Sequence, residues 1–106
     1  MKSEYKDYLK LLSYTYMQHA KYEKALVYLM VLKKLFPNDL QVVLSRAFSY
    51  LGLKSYEAAL NEAEEGLKMA ESEDDKEMAN RLKMKAMWGM KDEEAKEVKE
   101  EELTTT

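Results

Sequence analysis

The feature that most constrains this chain is an internal repeat with a period of 34 residues. The string KYEKAL, from Lys21 to Leu26, returns as SYEAAL, from Ser55 to Leu60. The tyrosine, alanine and leucine of the first string each lie 34 residues before their counterparts. A period of this length is typical of stacked supersecondary units, because one unit alone is too small to bury its apolar face. The chain is therefore predicted to be a short stack of such units.

Each unit has the spacing of two helices. Apolar or small residues recur three or four positions apart in both halves of the unit, which is helical periodicity. Pro37 disfavours helical geometry at Phe36, and Asn38 or Asp39 can cap the helix that follows. With three Gly, one Pro and no sustained apolar and polar alternation, the chain is predicted to be all-α. The predicted helices cover residues 4–18, 22–36, 39–52, 56–70, 76–89 and 92–102.

The pattern resembles the tetratricopeptide repeat, a helix-turn-helix unit of about 34 residues. Small residues in it predict places where two helices approach closely. In the second copy Arg46 replaces the usual Leu, and Glu71 stands where a Pro is expected. The first copy reads Leu9, Leu12, Ser13, Tyr16, Tyr22, Ala25, Leu29, Leu32 and Pro37. The second reads Val43, Arg46, Ala47, Tyr50, Tyr56, Ala59, Ala63 and Gly66.

A third copy is degenerate. Its string WGMK, from Trp88 to Lys91, matches LGLK, from Leu51 to Lys54, at a shift of 37 residues. The extra residues are placed in segment 71–75. The fold class is predicted as all-α, with three tandem helix-turn-helix repeats that form a small curved solenoid. A single domain is predicted for residues 1–103, with repeats at about 5–38, 39–72 and 75–102, followed by a disordered tail at 104–106.

The family resemblance implies a concave groove, lined by the first helix of each unit, that binds a partner. Six of the nine implied positions are apolar or aromatic. Such a surface predicts an amphipathic helix or an extended apolar segment as the partner, with acidic residues that meet the basic positions at the edges. The predicted groove consists of Lys10, Tyr14, Met17, Leu44, Phe48, Leu51, Arg81, Lys85 and Trp88.

Core packing is the alternative for these apolar positions, since a Met or aromatic stripe in a small helical protein is often buried. A separate packing stripe on the same helices favours the groove. The Met residues have two interpretations as well: a surface that adapts to varied ligands, or gap-filling, which we favour for Met69, Met84 and Met90. Trp88 is either an anchor for a partner or a lid on the end of the core.

The residue inventory argues against catalysis, cofactors and metal ions. The chain has no cysteine, and its single histidine, His19, is predicted to be a solvated residue at a helix end. There is no Gly-rich phosphate loop, and the acidic run from Glu71 to Glu77 lacks the spacing of a calcium loop. A net charge of −3 with mixed signs argues against nucleic acid, and no apolar run suits a membrane span or a signal. A cytoplasmic protein that is not an enzyme is predicted.

Within the tetratricopeptide family, the chain looks like the needle-subunit chaperones of bacterial type III secretion. The matching strings are Leu11-Leu12, the His19-Ala20-Lys21-Tyr22 turn, segment 52–59 and Trp88-Gly89-Met90 before a charged last helix. This resemblance implies a chaperone that holds the amphipathic C-terminal helix of the needle subunit in the groove, with a small helical co-chaperone, and prevents early polymerisation. The family's clamp for acidic chaperone tails is disfavoured, because Tyr14 and Ser45 stand where Asn is needed. A general interaction scaffold, with self-association of the free chain, is the alternative.

Overall fold

Five α-helices follow one another along the chain. The computed structural model describes residues 2–104, and the side chains of residues 3–101. The helices are α1 (Lys2–Gln18), α2 (Tyr22–Leu35), α3 (Leu40–Gly52), α4 (Tyr56–Met69) and α5 (Glu73–Thr104). Each helix packs against the next, and α3 also packs against α5. The prediction of an all-α protein is confirmed, and the described residues contain no strand.

The turns that join α1 to α2 and α3 to α4 have the same backbone geometry. Ala20 and Lys54, which are 34 residues apart, both adopt the left-handed conformation, with φ of 56° and 60°. In each turn the next residue donates its amide hydrogen to the carbonyl five residues earlier, over 2.8 and 2.9 Å. This bond is the one that ends a helix in the Schellman motif. The period in the sequence is therefore also present in the backbone.

The contact between one hairpin and the next helix also repeats. The rings of Tyr22 and Tyr56, at the starts of α2 and α4, lie against Gly52 and Gly89 of the helix that follows. A Cβ atom on either glycine would overlap the ring, so only Gly allows this approach. The two glycines are 37 residues apart, which is the shift predicted for the third unit. The first part of α5 therefore corresponds to the first helix of a third unit.

Small residues lie at the helix contacts, as the repeat pattern predicts. Ser13, Ala25, Ala47 and Ala59 are all 0% exposed. The same shift of 37 residues relates the buried positions of α3 and α5: Val42, Ser45 and Ser49 are buried in α3, and Ala79, Leu82 and Ala86 are buried in α5. The larger fully buried side chains include Leu29, Leu32, Val42 and Val43.

Arg46, the departure from the repeat pattern, is held by an ion network between α2, α3 and α4. Its guanidinium lies 3.1 Å from Glu62, which is 8% exposed. Lys33 of α2 contacts Glu62 at 3.1 Å and Glu65 at 2.8 Å. Burial lowers the pKa of Lys33, but the hydrogen bonds to Glu65 and Glu62 outweigh this effect and raise it above its ordinary value. The network thus joins three helices where the repeat pattern has a Leu.

The third unit differs from the prediction, because it is one helix and not two. A break was expected between residues 89 and 92, but α5 continues through this segment. A single Gly in a helix costs only about 1 kcal/mol. No Pro follows Gly89 in the sequence, and none of residues 90–104 has a left-handed backbone. The residues after it are rich in Glu, Lys and Ala, which are strong helix formers. Three complete helix-turn-helix repeats are therefore not present within residues 2–104.

The second half of α5 is exposed, and Glu93, Glu94 and Glu97 face the start of α4 across an open cleft. Residues 91–101 are all exposed, and the molecule measures 64 Å along its longest axis but only 29 and 21 Å along the others. Thr104, predicted to begin a disordered tail, is the last residue of α5, and Thr105 and Thr106 lie outside the described residues. No helix within residues 2–104 is both long enough and apolar enough to cross a bilayer.

Candidate protein-binding groove

An apolar groove opens where α1, α3 and α5 approach one another. Its volume is about 410 Å³. These three helices are the first helices of successive units, so the groove lies on the surface that the family resemblance implies. Its lining consists of Tyr14 and Met17 from α1, Gln41, Leu44, Ser45 and Phe48 from α3, and Met78 and Leu82 from α5.

Four of the nine predicted groove residues line this groove: Tyr14, Met17, Leu44 and Phe48. Met17 and Leu44 pack against the buried core clusters, so they form a supported floor. Phe48 is 42% exposed, and its ring meets Tyr22 edge-on with the ring centroids 5.9 Å apart. The groove therefore has an apolar floor and an aromatic side chain that is available to a partner.

Lys10 was predicted to meet acidic residues of a partner at the edge of the groove, but in the structure it contacts side chains of its own chain. Its Nζ lies 2.8 Å from Asp39 Oδ2 and 3.1 Å from Gln41 Oε1. Lys6 contacts the same carboxylate oxygen at 2.7 Å. Asp39 also caps α3, because its Oδ1 accepts a hydrogen bond from the amide of Val42. Lys10 thus joins α1 to the start of α3 and supports the wall of the groove.

Asp39 offers a pH test of this contact. Burial raises the pKa of its carboxyl, but hydrogen bonds from Lys10 and Lys6 outweigh this effect and lower the pKa to about 2, from an ordinary value of 3.8. A carboxyl with a lowered native-state pKa stabilises the fold above its unfolded-state pKa, and this contribution is lost as the pH falls through the native value. Stability from Asp39 should therefore be complete above about pH 5 and fade towards about pH 2.

We expect Asp39→Asn to lower the free energy of unfolding by about 1 kcal/mol at pH 7, after allowance for solvent screening. The amide keeps the helix cap but removes the charge. Urea denaturation of both proteins at pH 7, 4 and 2.5 measures the effect. The difference between them should shrink as the pH falls, and a difference that is the same at all three pH values would contradict the ion-pair assignment.

The other four predicted groove residues lie elsewhere. Leu51 is half-buried and packs against the core cluster of Ala47, Ala63 and Leu82. Arg81, Lys85 and Trp88 line a separate cleft of about 340 Å³ on the exposed side of α5. At a shift of 37 residues they match Leu44, Phe48 and Leu51 of α3. In the stack α5 packs beside α3, but within the described residues no further helix packs beside α5 in the same way. Their side chains therefore lie at the open end of the stack.

Four residues of the groove were missed from the sequence: Gln41, Ser45, Met78 and Leu82. Gln41 and Ser45 match Met78 and Leu82 at the same shift of 37 residues. The 37-residue shift and the helical spacing could therefore have predicted these residues, since both pairs lie beside the predicted positions on their helices. Gap-filling was favoured for Met84 and Met90, but these side chains are 46% and 36% exposed.

The remaining candidates do not form a site. His19 is exposed, and its Nδ1 lies 2.8 Å from the carbonyl oxygen of Thr15 at the end of α1. Residues 71–75 and 77 are all exposed, and α5 begins among them at Glu73. Among the described residues, no three His, Cys, Asp or Glu side chains are grouped so that they could hold a metal ion.

No protein-family model matches the chain, and no curated protein or solved structure is significantly similar to it. The groove and the chemistry of its lining are therefore the features that indicate a function for the chain.

Proposed function

We propose that this chain is a protein-binding module that holds the apolar face of an amphipathic helix in the groove between α1, α3 and α5. The observation that carries this proposal is the open, largely apolar lining of a groove shared by three helices. An amphipathic helix binds in a groove of this kind through apolar residues at positions i, i+3, i+4 and i+7. Tyr14 and Phe48 supply rigid aromatic area, and Met17 and Met78 supply side chains that adapt in shape.

The partner that we propose is the helical needle subunit of a type III secretion system. This more specific proposal is supported by the sequence resemblance to needle-subunit chaperones. The chain would act in the bacterial cytoplasm, with a small helical co-chaperone, and would not be an enzyme. A groove that covers the apolar face of the subunit's helix removes the surface through which subunits polymerise. Binding thus keeps the subunit in a form that can be exported.

Phe48→Asp should weaken helix binding by roughly thirtyfold or more, because the carboxylate would have to be buried at the centre of the contact. The free protein should keep its helicity, since Phe48 is 42% exposed. Fluorescence anisotropy with two labelled peptides measures binding: one is the C-terminal helix of a needle subunit, and the other is a designed amphipathic helix of about 20 residues. Far-UV circular dichroism checks the fold.

Met30→Asp is the matched control. Met30 is 48% exposed and lies on α2 outside the groove, so the same charge is introduced at a similar exposure. Equal loss of binding in both variants, or none in either, would contradict the groove. If the designed helix binds and the needle peptide does not, the binding module stands and the secretion chaperone fails. Leu51→Asp is not a useful variant, because Leu51 packs against the core.

A further inference from the structure

The outer face of α5 carries apolar side chains that no other helix covers. Met84, Trp88 and Val98 are 46%, 61% and 54% exposed. At the shift of 37 residues the counterpart of Met84 in α3 is Ala47, which is 0% exposed and belongs to one cluster with Ala63 of α4. Within the described residues α5 has no such following helix. The surface that α4 covers on α3 is therefore open on α5.

Five of the exposed residues form one line along α5, which we call the α5 stripe: Met84, Trp88, Lys91, Ala95 and Val98. Their separations alternate between four and three residues, which is the spacing of the seam between two paired helices. Shallow grooves between side chains of α5 itself lie at the two ends of the stripe. Since the buried residues of α5 lie on its opposite side, a second helix can pack along the stripe without disturbing the core.

Charge is unevenly divided along α5 after its acidic first turn, Glu73 to Asp75. Residues 76–91 contain five basic residues and one acidic residue. Residues 92–101 contain six acidic residues and two basic ones. If a second α5 packs in the opposite direction, the acidic half of each helix lies beside the basic half of the other. A parallel arrangement would place like charges side by side, which is unfavourable.

We propose that the α5 stripe pairs this chain with a second copy of itself, with the two α5 helices antiparallel about a two-fold axis near Lys91. In this arrangement Trp88 lies opposite Ala95 of the partner subunit, so a large side chain meets a small one. Met84 likewise lies opposite Val98 of the partner subunit. The interface is isologous, and it therefore closes at two copies.

Lys91 is the one charged position in the stripe, and it lies close to its own equivalent on the two-fold axis. Glu94 of each subunit lies less than one turn further along the helix, where it can approach Lys91 of the other subunit. A polar residue at such a seam position sets the register of the pair at a cost in stability. Lys91→Leu should therefore tighten the dimer.

The oligomeric state of the full chain tests the proposal. Sedimentation velocity over a range of concentrations should show a monomer and dimer in equilibrium. Trp88→Asp and Val98→Asp should each raise the dimer dissociation constant roughly thirtyfold or more, because each places a carboxylate in the apolar seam. Both residues are more than half exposed, so circular dichroism should be unchanged. Phe48→Asp, in the groove, should leave the dimer intact, which separates this result from the test of the groove.

A dimer that persists in both variants would overturn the proposal. A chain that is monomeric at every concentration up to about 1 mM would also overturn it, and would leave a helix of another protein as the occupant of the stripe. Raising the salt concentration should weaken the dimer, because the basic segment 76–91 of one α5 lies beside the acidic segment 92–101 of the other.

The antiparallel direction can be tested by disulfide formation, since the chain has no native cysteine. A disulfide needs Cα atoms within about 7 Å. Lys91→Cys alone should form a covalent dimer on mild oxidation, because residue 91 lies near the axis. Met84→Cys alone should not, but a mixture of Met84→Cys and Val98→Cys chains should form mixed dimers. Efficient cross-linking of Met84→Cys to itself would show a parallel pair and overturn the proposed arrangement.

Discussion

Replacing Ala59 with Trp should unfold the protein. Ala59 is 0% exposed in α4, and it is one of the small residues that the repeat places at a helix contact. An indole at this position would push the neighbouring helices apart. Overpacking a core by a few methylenes typically costs about 1–3 kcal/mol, and an indole is much larger. Since the whole stability of a small domain is only about 5–15 kcal/mol, we expect the cooperative thermal transition to be lost.

Asn61→Trp is the control for this prediction. Asn61 lies two residues further along the same helix and is exposed, so the indole has room. This variant should melt within a few degrees of the unmodified protein. Far-UV circular dichroism during heating measures both variants. A folded Ala59→Trp protein with a normal transition would show that the helices are not closely packed at this position.

Glu62→Leu should lower the free energy of unfolding by about 2–4 kcal/mol, because it leaves Arg46 partly buried without its carboxylate. The side chains of Arg46 and Glu62 are only 14% and 11% exposed. Among the described residues, Arg46 Nε already has no hydrogen-bond partner. For a chain of this size, the loss corresponds to a fall of roughly 10–25 °C in the melting temperature. Thermal and urea denaturation both measure it.

The double variant Arg46→Leu with Glu62→Leu separates charge from packing. Removing both partners of a buried ion pair is often neutral or stabilising, whereas removing one is costly. We therefore expect the double variant to recover most of the stability that Glu62→Leu loses. Lys33 keeps Glu65 as a partner in both variants. If the double variant is no more stable than Glu62→Leu, the cost arises from the shape of the site and not from the unpaired Arg46.

Glu65→Leu is the exposed counterpart. Its side chain is 43% exposed and contacts Lys33 only through one oxygen. Exposed ion pairs contribute about 0–1 kcal/mol, so this variant should change stability by no more than that. If Glu65→Leu loses as much stability as Glu62→Leu, the cost of Glu62→Leu comes from unpairing Lys33 and not from unpairing Arg46.

The ion network of Arg46 could not be predicted from the repeat pattern. In the repeat, a Leu is expected at this position, so Arg46 alone indicates a defect in packing. Its partner Glu62 is 16 residues away on α4, and Lys33 is on α2. Neither the period nor the helical spacing pairs these three residues. Their meeting depends on the crossing of three helices, which only the packed structure supplies.

The groove shows a similar division. Tyr14, Met17, Leu44 and Phe48 were predicted from the family resemblance, which implies that the first helix of each unit lines the groove, and from helical spacing, which selects the face of that helix. Lys10 and Leu51 have equivalent positions, but one meets Asp39 and the other meets the core. Whether such a side chain remains free for a partner depends on its neighbours from other helices, which a single helical register cannot show.

The sequence by itself determined the all-α class, the two hairpins and their period, because helical spacing, Pro37 and the small residues act locally. It also determined the small buried positions, since close helix contacts admit only small side chains. Local propensity also continues α5, because no strong helix breaker follows Gly89 within the described residues. The tertiary structure decided which helix faces stay exposed: within the described residues, no second helix packs on Met84 and Trp88. The α5 stripe is exposed because no other described helix packs against it. Whether a helix face is covered depends on the neighbouring helices, and the sequence of that helix alone does not show it.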